Sequence, residues 1–91
     1  PPQFNKKMLF HIYNSNIAIL NKLEKNFKLT ERDKKDLNHL PSTFMICYLN
    51  GFEEAKQKLI DAKSVLKPFT QVYLSFKEAL RILRKMKYDV Q

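Results

Sequence analysis

Glycine occurs once in the 91 residues, at Gly51, and proline four times, at Pro1, Pro2, Pro41 and Pro68. Hairpins and tight strand turns draw heavily on both, so long stretches without either argue for helices. One glycine also cannot build a glycine-rich phosphate loop or a glycine-flanked serine elbow. Cys47 is the only cysteine, which rules out an internal disulfide. It lies in an apolar run with no histidine or cation beside it, reads as a small buried hydrophobe and fits a reducing compartment. That run, Phe44 to Leu49, is the longest in the chain and falls far short of the ~20 residues a membrane-spanning helix needs. No secretory signal is evident. The start at Pro1 and Pro2, without an initiator methionine, suggests a domain excised from a longer protein, with a nuclear or cytoplasmic location as the default.

What the chain does contain suits a single globular domain. Hydrophobic residues make up 44% and charged residues 29%, well away from disordered compositions, and the length serves one core. Residues 1–91 are therefore read as one helical domain. The formal net charge of +8 is unevenly spread. Both ends are basic and the middle is balanced, so the chain attracts nucleic acid, anionic lipid or an acidic protein segment without choosing among them.

Apolar positions recur at helical spacing in four stretches. The first, about residues 5–27, carries Met8, Leu9, Ile12, Tyr13, Ile17, Leu20, Leu23 and Phe27. Its weak point is Asn14-Ser15-Asn16, where side chains compete for backbone hydrogen bonds and could split the segment, with Asn16 capping a second piece; the sequence leaves open whether the helix is broken there. Thr30 precedes Glu31 and Asp33 in a helix-start pattern, and a short second helix is expected to end near Asn38, before Pro41, with His39 capping it. Ser42 or Thr43 then caps a third, about residues 43–65, in which the apolar stripe keeps its phase across Gly51 and argues for one continuous helix. Pro68 suits the first turn of a fourth, about residues 68–87, with a stripe through Phe69, Val72, Tyr73, Phe76, Leu80 and Leu83. The short joints imply antiparallel neighbours. The expected fold is all-α, a small up-and-down bundle of three to four helices.

No catalytic or cofactor constellation stands out. Glu31, Asp33 and Asp36, and then Glu53 and Glu54, sit among cations as they do on solvated helix faces. His11 and His39 lie in no metal-ligand spacing, so neither a metal site nor a cofactor is expected. The aromatic steps Phe44, Tyr48, Phe52 and Phe69, Tyr73, Phe76 suit core packing, and would line a groove for a partner helix if the bundle splays.

One surface has direction. Lys77, Arg81, Arg84, Lys85 and Tyr88 group on the side of helix four away from the apolar stripe, interrupted by Glu78, with Leu74 near the middle of the face. A leucine among arginines resembles the anchor-plus-charge composition of a protein interface. The expected function is a non-catalytic protein-interaction module that holds an acidic or amphipathic partner segment. The competing expectation is a nucleic-acid-binding domain contacting phosphates through helix four and the N-terminal lysines.

Overall fold

The computed structural model describes residues 5–86 and Tyr88. Four helices follow one another: α1 (Lys6–Glu24), α2 (Glu31–Leu49), α3 (Glu53–Leu66) and α4 (Thr70–Lys85).

Asn5 starts α1 by accepting the Lys7 amide at 2.8 Å and the Met8 amide at 3.4 Å. The helix is unbroken through Asn14-Ser15-Asn16, so the segment is not split there. There the Ser15 hydroxyl donates to the His11 carbonyl at 3.1 Å and the Asn16 amide to the Ile12 carbonyl at 2.8 Å. Both side chains bond back along the helix instead of capping a new one. The helix ends because Asn26 turns left-handed, with φ 57°. The Phe27 amide then reaches the Lys22 carbonyl at 2.8 Å and the Asn26 amide the Leu23 carbonyl at 3.2 Å, the two bonds of a Schellman turn.

The largest departure from expectation is in the middle of the chain. Thr30 and Asp33 form the reciprocal capping box that opens α2. The helix then runs straight through Pro41 to Leu49, so His39, Ser42 and Thr43 are interior positions and not caps. An interior proline costs about 3 kcal/mol or more in an isolated helix. Here Leu37, Leu40, Pro41, Phe44 and Cys47 form one buried stripe, and tertiary burial outweighs that cost. The break comes at Gly51 instead, with φ 97°. Bonds from the Phe52 amide to the Cys47 carbonyl and from the Gly51 amide to the Tyr48 carbonyl, both 3.0 Å, make a second Schellman turn. The expected third helix is thus divided between α2 and α3, and Phe52 becomes the residue before α3.

Pro68 lies two residues ahead of α4, outside its first turn, and Phe69 occupies the N-cap. At the far end Met86 is the C-cap, and the Tyr88 amide bonds to the Leu83 carbonyl at 2.9 Å.

α2 is the central element and packs against all three other helices, whereas α1 and α4 do not pack on one another. Successive helices reverse direction, giving a small all-α up-and-down bundle. Phe44, Phe76, Leu40, Leu59, Leu66 and Leu83 are its largest fully enclosed side chains. Tyr13 of α1 meets Phe44 edge-on at 5.5 Å and Phe52 at 6.0 Å, which locks α1 onto the α2–α3 corner. Met8, Ile12, Phe27 and Met86 hold helical spacing in the sequence yet stand exposed. Among the described residues no helix is long and apolar enough to cross a membrane.

Candidate functional site

The buried face of α4 is Val72, Phe76, Ala79, Leu80 and Leu83. A rotation of about 100° per residue therefore turns Leu74, Lys77, Arg81, Arg84 and Lys85 outward, and all five are exposed. Leu74 stands 54% exposed on the crest of the helix. It borders two grooves.

On the α3 side lies a recess of about 420 Å³, whose rim carries Lys63, Lys77, Arg81 and Arg84 against one carboxylate, Glu78. Lys63 comes from α3, and its place beside the α4 cations is not visible in the sequence because it depends on how α3 and α4 pair. On the α2 side lies a recess of about 490 Å³, bordered by Leu74, Met45, Ile82, His39 and Glu78, with no lysine or arginine among the described residues of its wall. The two flanks of Leu74 thus differ in charge.

The cations differ in what occupies them. Arg81 grips Glu78 with both arms of its guanidinium, at 3.0 Å from Nε to Oε2 and 2.5 Å from Nη2 to Oε1. The bond from Arg81 holds the Glu78 carboxyl below its usual range. Arg81 therefore presents its fork to a neighbour on its own helix rather than outward. Lys77 Nζ lies 5.6 Å from the centre of the Tyr73 ring, a cation–π distance.

Tyr88 does not join this face. The chain leaves helical geometry at Met86, and the Tyr88 ring packs edge-on against Tyr48 of α2 at 5.2 Å. Continuation of helix four to about residue 87, as the sequence suggests, would place Tyr88 one turn beyond Arg84. The turn at the end of α4 carries it to α2 instead. Lys87 lies outside the described residues.

His11 and His39, distant in sequence, both border a cleft between α1 and α2, with Arg32 and Asp36 at its edge. Antiparallel pairing of α1 with α2 brings them there. Among the described residues no group of three or more His, Cys, Asp and Glu side chains is placed to hold a metal ion.

The chain matches the family described as Domain of unknown function (DUF5929) over residues 1–89, nearly its whole length, and belongs to that family. No curated protein and no solved structure matches it.

Proposed function

We propose that this DUF5929 domain is a non-catalytic protein-interaction module that docks an acidic, amphipathic segment of a partner protein along the α3–α4 groove. The observation that carries the reading is Leu74, an exposed leucine on the crest beside a recess rimmed by Lys63, Lys77, Arg81 and Arg84. An apolar anchor surrounded by cations suits a helix with leucines on one face and carboxylates beside them. Charge then sets register and on-rate, while burial of Leu74 supplies affinity.

The competing reading, phosphate contact by a basic nucleic-acid-binding domain, fits less well. Glu78 within the groove engages the Arg81 fork and tempers attraction for phosphate and carboxylate alike. What favours a protein partner is Leu74, an exposed apolar anchor that a phosphate backbone would leave uncovered. The N-terminal Lys6 and Lys7 belong to α1, which does not pack on α4.

The test is a titration with two synthetic helical peptides that share a leucine face and differ in glutamate or lysine flanks, and with duplex DNA. The glutamate peptide should bind. Leu74→Asp, and separately Arg81→Glu with Arg84→Glu, should abolish that binding without unfolding the domain. If DNA binds instead, with affinity falling by a logarithmic slope of about −0.9 per neutralised phosphate as salt rises, the protein-interaction reading is wrong.

A further inference from the structure

A further cavity lies away from the α4 crest. It is a recess of about 760 Å³ at the end of the bundle where α1 finishes, α2 begins and α3 hands over to α4. From this recess we infer a second, separate binding site, for an amphipathic anion with an apolar chain and a carboxylate head, of which a fatty acid is the simplest example.

The inner surface is apolar. Leu23, Leu29, Val65 and Phe69 line it, each only half buried, although each also packs against the core. Phe27, at the mouth, is 61% exposed. Protein interiors are packed to crystal-like density, so a recess of this size fringed by incompletely buried apolar side chains is what a ligand chain would fill. It is held open by the backbone. The left-handed Asn26 and its Schellman turn send residues 27–30 around the rim instead of across it, and Pro68 shapes the opposite wall.

The head group follows from the polar lining. Lys28 and Lys34 are the charged residues of the wall, Asn26 and Asn38 supply amides, and no aspartate or glutamate among the described residues takes part. Lys34 Nζ is 3.3 Å from Glu31 Oε1, but that pair is well exposed and contributes little to stability, so the ammonium can be shared with a ligand. A long neutral chain would leave these donors unused, and a cationic one would be repelled.

The choice between a small amphiphile and a partner helix follows from placement. The wall is drawn from the ends of helices and the joints between them, and α2 contributes one turn, Lys34 to Asn38. A site for a docked helix would run along a helix for several turns. This recess closes one end of the bundle.

The chain has no tryptophan, so Phe27→Trp places a single reporter at the mouth. Its fluorescence would be followed with dodecanoate, dodecanol and dodecyltrimethylammonium, each below its micelle concentration. Dodecanoate should give a saturable blue shift and bind about tenfold or more tighter than dodecanol. Lys28→Glu with Lys34→Glu should erase that preference by weakening dodecanoate alone. Val65→Phe, which narrows the recess, should weaken both ligands while circular dichroism stays helical. Leu74→Asp should change none of this, which separates the site from the α4 surface. The proposal is overturned if no shift occurs, if dodecanol or the cationic amphiphile binds as tightly as dodecanoate, or if the acidic peptide produces the shift and dodecanoate does not.

Discussion

Lys22 and Asp33 join the last turn of α1 to the first turn of α2, with Nζ 2.6 Å from Oδ2. The same carboxylate oxygen accepts the Thr30 amide at 3.0 Å, so one atom serves both the capping box and the link between helices. The bond from Lys22, and after it the bond from the Thr30 backbone, hold the Asp33 carboxyl below its ordinary range. A carboxyl whose folded value is depressed stabilises the fold above its unfolded value. That contribution is lost as pH falls through the lower, folded value. Asp33→Asn should therefore lower the thermal midpoint at neutral pH, and the gap to the parent chain should close in acid. Melting curves across the acid range check this; a gap of constant size would mean that charge is not the cause.

Gly51 tests backbone strain alone. Its φ is 97°, yet a Cβ built there meets nothing within 4 Å. Gly51→Ala should cost about 1–2 kcal/mol, the penalty of a left-handed alanine, with no steric clash to add to it. Gly51→Asn should cost less, because asparagine visits that region more readily. Urea denaturation of the two variants measures the difference.

The orientation of α4 is checked by contrast between its two faces. Phe76 is 1% exposed. Phe76→Ala should cost about 3–5 kcal/mol and Leu80→Ala about 2–5 kcal/mol, whereas Leu74→Asp should stay within about 0.5 kcal/mol of the parent. Comparable losses at Leu74 and Phe76 in chemical denaturation would contradict the facing of the helix.

Cys47 is fully enclosed, with its Sγ 3.9 Å from the Leu9 carbonyl, and burial raises its thiol pKa. A thiol-exchange reagent should label the native chain on the order of a hundredfold more slowly than the urea-unfolded chain, since access requires opening of the core. Equal rates would place Cys47 at the surface.

The helices are legible in the sequence where one apolar stripe lies between clear stop signals, as in α4. The middle of the chain misleads because two punctuation residues compete. Pro41 is the stronger helix breaker in isolation, yet Leu37, Leu40, Phe44 and Cys47 continue one stripe across it, and that continuity signals helix α2. Asn50-Gly51 is the better stop, since a left-handed turn after the last helical residue satisfies the open carbonyls. The stripe through Tyr48, Phe52 and Ala55 conceals it by keeping phase over a turn. The outward set on α4 can be read from angular arithmetic, but Lys63, the cleft shared by His11 and His39, and the recess beneath Phe27 depend on the pairing of helices. Tyr88 departs from its expected place because its position depends on where α4 ends.

α2 is continuous in shape but not in hydrogen bonding, because Pro41 has no N–H to give to the Leu37 carbonyl. The element on which the other three helices rest therefore lacks one main-chain bond near its middle. Pro41 is buried there with Leu37, Leu40 and Phe44, so side-chain packing takes over what the missing bond would have contributed. Removing α1, α3 or α4 would bare apolar surface on α2, and the four helices are expected to unfold together.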